Sequence, residues 1–298
     1  LVQNEDGVGT KIEVAQRMNN FKTLGSDLTA MVADDAVCVG AETIAISNTI
    51  DTDSLSSKII KEMMNGLAEA CKKQRIVIPG GEIAELHGHV KGYTWNASAV
   101  GIVEKKKFIK GHGIKVGDKI IGIVSPNFRS NGFTLVRAVL NKVYGKNWHL
   151  KTFCGKRWGD IALEPSVIYH AAILSLIGRF GKKAQVKING IAHITGGGLP
   201  GNAPRMFSQK NLGVLFDRLP APPPAMIELQ RLGRISDREA YETWNMGIGM
   251  VLIAENTQKT IELLRKTGLK ASVVGTVISK PEVIIDMASN KQKLVFEI

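Results

Sequence analysis

Cysteine is scarce in this chain of 298 residues: only Cys38, Cys71 and Cys154 occur, far apart and with no C-x-x-C pair. That excludes a disulfide framework and a cysteine-built zinc site, and it fits a reducing, cytoplasmic setting. Apolar runs long enough to span a bilayer are missing, so no membrane partner is expected. The opening residues, Leu1-Val2-Gln3-Asn4-Glu5-Asp6, lack the basic and apolar regions of a signal peptide. Without such a signal the Asn96-Ala97-Ser98 sequon is not expected to carry a glycan. The start also lacks Met, so the chain is expected to begin inside a longer gene product. Aromatic residues make up 6% and none interleave with the basic ones, which argues against a nucleic-acid surface.

Charge is present but lopsided. The net charge is +12, yet residues 1–113 hold 13 basic and 14 acidic side chains. The whole excess lies in residues 114–298, scattered singly or in pairs, which suits a small polyanionic ligand better than a polymer. The segment Gly111-His112-Gly113 to Val116-Gly117-Asp118 is glycine-rich and polar, and it is the predicted boundary between domains 1–113 and 114–298.

Periodicity supplies the elements. Leu24–Val39 and Leu55–Cys71 read as helices, the second capped by Thr52 or Asp53, and Thr43–Thr49, Ile76–Ile78 and Tyr93–Glu104 read as strands. In the second half, helices are predicted at 132–143, 165–179, 199–207, 225–232 and 257–267. Strands are predicted at 119–124, 212–216, 248–254, 272–278, 283–286 and 294–298. Each half mixes both, which gives an α/β (α+β) chain of two layered domains.

Several stretches carry possible chemistry. In Asp6-Gly7-Val8-Gly9-Thr10-Lys11 the glycines allow close backbone approach, Lys11 brings positive charge and Asp6 can hold a metal, although a plain turn explains the pattern equally well. On a helical wheel Asp35 falls within about 40° of Leu28, Val32 and Val39, so it is predicted on the buried face, and Asp34 on the exposed side. A buried carboxylate needs a cation or donors, either a ligand or local groups of the chain. Gly80-Gly81-Glu82 follows a predicted strand, where ligand crevices form, or it is a simple turn. His87 and His89 read as loop polarity. Asn131 precedes a helix. His193-Ile194-Thr195-Gly196-Gly197-Gly198 leads from a strand into a predicted helix carrying Arg205, whose bare N–H groups suit an anion. His193 is either a strand-packing residue or a base. Asp6, Asp35 and Glu82 together offer the hard oxygen ligands that suit Mg²⁺, pointing to ATP and Mg²⁺ acting on a phosphorylated substrate in a cleft between the domains.

Six motifs, in order and covering nearly the whole chain, resemble one family. They are D-G-V-G-T-K at 6–11, G-x-D-L-x-A-M-V-x-D-D with G-A-E at 25–42, G-G-E-x-A-E at 80–85, S-N-G-F-T-L-V-R at 130–137, I-A-H-I-T-G-G-G-L-P-x-N-x-P-R at 191–205 and N-M-G-I-G-M at 245–250. The chain resembles the phosphoribosylformylglycinamidine cyclo-ligases. That resemblance implies a homodimer paired through the first domain, and ATP-dependent closure of formylglycinamidine ribonucleotide to aminoimidazole ribonucleotide in purine synthesis. It implies a metal at Asp6, Asp35 and Glu82, with ATP against Gly7, Gly9, Thr10, Lys11, Gly80 and Gly81. It implies catalytic roles for Lys11, Asp35 and His193, and substrate or its 5′-phosphate at Asn131 and Thr195–Gly198. The alternatives are another ATP-using member of the superfamily, such as formylglycinamidine ribonucleotide synthetase, selenophosphate synthetase or thiamine-phosphate kinase, or a non-catalytic binding homologue. The sequence departs from the pattern where Arg129 stands for His, Asp34 for Asn, His87 for Pro and Asn48 for Asp, and the family's glycine-rich N-terminal arm is not among these residues.

Overall fold

The computed structural model describes residues 1–208, 211–287 and 292–298. The first half runs β1 (Val2–Gly7), α1 (Lys11–Met18), α2 (Leu24–Cys38), β2 (Glu42–Thr52), α3 (Ser57–Gln74), β3 (Gly81–Glu85) and β4 (Tyr93–Ile102). Its sheet has the order β1-β4-β2-β3, antiparallel except for the β2–β3 pair. Along β4, Tyr93, Trp95, Ala97 and Ala99 are buried, while Thr94 and Asn96 on the alternate face are open. The helices cover one face only, and the other carries Glu5, Ser98, Asn96 and Thr49 in the same pleat.

The second half runs β5 (Lys119–Val124), α4 (Phe133–Tyr144), the short hairpin β6 (Thr152–Phe153) and β7 (Lys156–Arg157), α5 (Trp158–Ala162) and α6 (His170–Ile177). It continues through β8 (Ile188–His193), α7 (Gly198–Asn202), β9 (Gly213–Phe216), α8 (Pro224–Gly233), α9 (Asp237–Thr243) and β10 (Ile248–Ala254). It ends with α10 (Thr257–Lys266), β11 (Ala271–Ile278), β12 (Glu282–Met287) and β13 (Gln292–Glu297). Seven strands form one sheet, ordered β13-β12-β9-β11-β5-β10-β8, and every residue of β10 is buried. A continuous apolar run in that strand follows from cover on both faces.

α2 is the central feature. Twelve of its fifteen residues are buried, because it packs on the first sheet, α3, α6 and β8 at once. A wheel reading assumes one wet face, and here there is scarcely any. The expectation for the two neighbouring acids is therefore reversed: Asp34 is wholly buried, and Asp35 keeps a side chain 38% exposed.

Other differences have local causes. Ile76–Ile78 is not a buried strand: Val77 makes a single bridge to Ala45 and is 62% exposed. The N-cap position of α3 is Ser56, since Thr52 still belongs to β2 and its hydroxyl bonds the Ser54 carbonyl. Residues 165–179 give only α6, and 199–207 give the five-residue α7 followed by one 3₁₀ turn over 203–206.

Candidate active site

Asp6 is the next-to-last residue of β1, Asp35 lies late in α2, and His193 ends β8, so three separate stretches meet where the two halves join. His193 Nδ1 lies 2.6 Å from Asp35 Oδ1. Asp6 takes its own neighbour's amide, Gly7 N–H, at 2.7 Å. Burial raises the Asp6 carboxyl above the usual carboxylate range, opposed by the Gly7 amide, and the nearby Asp35 charge raises it further. A pair of neighbouring, partly wet carboxylates is a place for a cation. The His193 side chain is only 2% exposed. Its Nε2 is buried without a hydrogen-bond partner, 4.0 Å from Asp34 Oδ2. Neither ring nitrogen is open to a substrate, so the expected base instead holds Asp35 in place.

Lys11 is the clearest correction. Its ammonium is wholly buried and donates to Asp27 Oδ1 at 2.9 Å, to the Arg129 carbonyl at 3.0 Å and to the Glu164 carbonyl at 2.8 Å. An ammonium has three hydrogens. All are committed, and none is free for ATP phosphates. Asp27 also accepts the amide and hydroxyl of Ser166. Beside this knot lies a second. Arg129 donates to Asp34 Oδ2 at 2.8 Å with both side chains at 0% exposure. Asp34 Oδ1 accepts the amides of Tyr169 and His170, each at 2.8 Å. Burial drives the Asp34 carboxyl up, and Arg129 opposes it. The Arg129 guanidinium also stacks over the Tyr169 ring, 4.7 Å from its centroid. Sequence reasoning missed this pair, because it placed Asp34 on the exposed side of its helix and the two residues lie 95 positions apart.

Glu82 is placed elsewhere. Asp6 is paired with Ala97, Ala97 with Asn48 and Asn48 with Gly81, so Asp6 and Gly81 share the covered face three strands apart, about 14 Å. Glu82, one residue on, points to the open face. Among the described residues no three His, Cys, Asp or Glu side chains converge on one point, so Asp6, Asp35 and Glu82 do not form a metal trio within a single chain. Gly80 and Gly81 also stand apart from the cleft. A Cβ on Gly81 would lie 2.4 Å from the Asn48 carbonyl, so glycine is needed there for the neighbouring strand.

The remaining predicted residues do gather. A Cβ on Gly9 would touch the Ser130 carbonyl at 3.8 Å, and the Thr10 and Thr134 hydroxyls are 3.5 Å apart. Asn131 approaches Met31 Sδ at 3.9 Å and faces Gly196. The Thr195–Gly198 turn is braced by Asn202, which donates to the Gly196 and Gly198 carbonyls at 3.1 and 2.7 Å. The Gly198 amide bonds Thr195, however, and a five-residue helix follows. The expected anion site at a long helix start therefore loses its basis.

Comparison with known proteins agrees with this architecture. Residues 1–103 match the family model of the AIR synthase related protein N-terminal domain, and residues 115–287 match that of its C-terminal domain. The hydrogenase maturation protein HypE, solved in complex with ATP, shares the fold at TM-score 0.66 and 14% identity, over 92% of this chain and 79% of that one. Fold and site thus define a two-domain protein of the AIR synthase related class. Among curated relatives, a phosphoribosylformylglycinamidine cyclo-ligase of Methanococcus vannielii is 36% identical over all of this chain and 82% of its own length. Another, of Thermoanaerobacter pseudethanolicus, is 39% identical over 93% of this chain and 82% of its own. The chain belongs to the phosphoribosylformylglycinamidine cyclo-ligase family.

Proposed function

We propose that the chain uses ATP to close the ring of formylglycinamidine ribonucleotide, giving aminoimidazole ribonucleotide, ADP and phosphate. The observation that carries this is the Asp6–Asp35 pair at the junction of the halves, in a chain of this family. An amide oxygen is a poor leaving group. Transfer of the terminal phosphoryl of ATP to it gives an iminophosphate, and attack by the amidine nitrogen then expels phosphate. Phosphoryl transfer is mainly a problem of positioning and charge neutralisation.

Asp6 and Asp35 fit Mg²⁺, which is typically held by one or two carboxylates together with substrate phosphates. The bound ion would neutralise charge on the phosphoryl oxygens. His193 fixes the Asp35 carboxylate, leaving its second oxygen uncommitted. Gly7, Gly9 and Thr10 form the nucleotide side of the cleft, and Asn131 with Thr195–Gly198 the substrate side. Residues 1–113 serve as the nucleotide and pairing domain, and 114–298 as the synthetase domain. We assign the open face of the four-stranded sheet to a second copy of the chain. Its central Ser98, Asn96 and Thr49 are small and uncharged, and Leu86 just past β3 is exposed. Sedimentation at micromolar concentration should show a dimer, and a clean monomer would refute that assignment.

The direct test is purified protein with formylglycinamidine ribonucleotide, Mg²⁺ and ATP, following aminoimidazole ribonucleotide. Product and ADP should form one to one. Substrate-dependent ADP without that product would favour a superfamily relative. Absence of nucleotide binding would favour a non-catalytic homologue.

A further inference from the structure

We infer that the cavity behind Asp35 receives the phosphate-bearing arm of the substrate, with Lys110 and Arg205 as its anion ligands. This rests on the proposed ring closure for the identity of the substrate, not for the existence of the site. The cavity measures about 350 Å³ and is lined by Asp35, Val39, Lys110, Ala192, His193 and Arg205 among others. The Asp35–His193 pair lines it, two cations line it as well, and Ile191, Ala192 and Met206 add apolar surface.

The cations are brought there by the fold. The segment between the two halves is tied down on both sides of Lys110. Ile109 N–H donates to the Val39 carbonyl at the end of α2, at 3.1 Å. Gly111 lies so close to the 3₁₀ turn after α7 that a Cβ there would stand 2.1 Å from the Met206 carbonyl. Lys110 is thus bracketed by two anchors. The second anchor sets it beside Arg205, the residue before Met206.

Their charges are not neutralised by any carboxylate among the described residues, although the Lys110 ammonium lies over the Phe108 ring, 5.7 Å from its centroid. A neighbouring cavity of about 630 Å³ shares Ile109, Lys110 and Gly111 and adds Lys106, Lys107 and Lys187. Those three already face carboxylates: Lys106 and Lys107 pair with Glu104, and Lys187 with Glu255. Among the described residues Lys110 and Arg205 form no ion pair. An Arg fork and a Lys point charge suit a phosphate monoester dianion. The nucleotide phosphates are assigned to the metal at Asp6 and Asp35.

The test uses Arg205→Gln and Lys110→Gln, both at exposed side chains. Ribose 5-phosphate is titrated calorimetrically, with ribose as control, and KM is measured for formylglycinamidine ribonucleotide and for ATP. Wild type should bind ribose 5-phosphate and not ribose. Each variant should weaken that binding and raise the substrate KM about tenfold, the loss of one charge-assisted contact. The KM for ATP and the melting temperature should stay unchanged. Turnover by wild type with ribose 5-phosphate affinity and substrate KM unaltered in both variants would overturn the site and leave the function standing. Lys110- and Arg205-dependent binding of ribose 5-phosphate without turnover would uphold the site and overturn the proposed reaction.

Discussion

The buried seam between the two halves and the cleft beside it are built from the same residue types, yet they do different work. In the seam, Lys11 with Asp27 and Arg129 with Asp34 lie fully out of water, paired with each other and with backbone groups of both halves. Another bond crosses there: the Thr43 amide donates to His170 Nε2 at 3.0 Å. In the cleft, Asp6 and Asp35 keep water contact and uncommitted oxygens. Asp34 and Asp35 are sequence neighbours, about 100° apart on one helix, and that rotation alone assigns one to each region. Charge does not mark a functional residue here. An uncommitted oxygen that water can reach, as on Asp35, does.

The contrast can be broken most severely at Arg129. Arg129→Met strands the buried Asp34 charge and should cost about 3–5 kcal/mol in urea unfolding. Adding Asp34→Asn, which keeps an oxygen for the Tyr169 and His170 amides, should recover most of that loss. A double variant no more stable than the single one would show that the two charges are not a unit. Asp35→Asn should do the opposite: Mg-ATP binding weakens about tenfold, near 1.4 kcal/mol, while the thermal transition stays the same or rises. A large loss of stability with unchanged nucleotide affinity would move Asp35 into the seam.

The smallest effect concerns pH. Burial lowers the His170 pKa from 6.5 to about 3, so the folded chain keeps this ring neutral. Below pH 6.5 the unfolded state binds a proton that the folded state does not, and stability falls with falling pH until about 3. Between pH 7 and 5.5 the contribution is about 1 kcal/mol. His170→Gln, which can still accept from Thr43, should flatten that slope, and an unchanged slope would place the titration elsewhere.

Element positions were legible wherever one periodicity ruled. β10 was predicted at its observed ends, and α4, α8 and α10 within one or two residues, because buried strands and one-sided helices write their surroundings into the chain. α2 was misread because cover on nearly all sides erases a polar face. Lys11 was read as a ligand because its partners lie 16, 118 and 153 residues away. Glu82 was read as a metal ligand because sequence does not reveal register, and one residue along a strand exchanges faces. Asp6 and Asp35 were grouped from residue type, in a trio with Glu82; the separation of Asp34 from Asp35 required coordinates.

The seam has a consequence for motion. Lys11 donates to two carbonyls of the other half, and Arg129 reaches across to α2, so a clamshell opening would have to tear apart the desolvated Arg129–Asp34 pair and both buried Lys11–carbonyl bonds. Reactant entry and product exit must then proceed without hinge bending between the halves. Slow amide exchange along α2 and at Tyr169 and His170, even during turnover, would be the mark of such a welded joint.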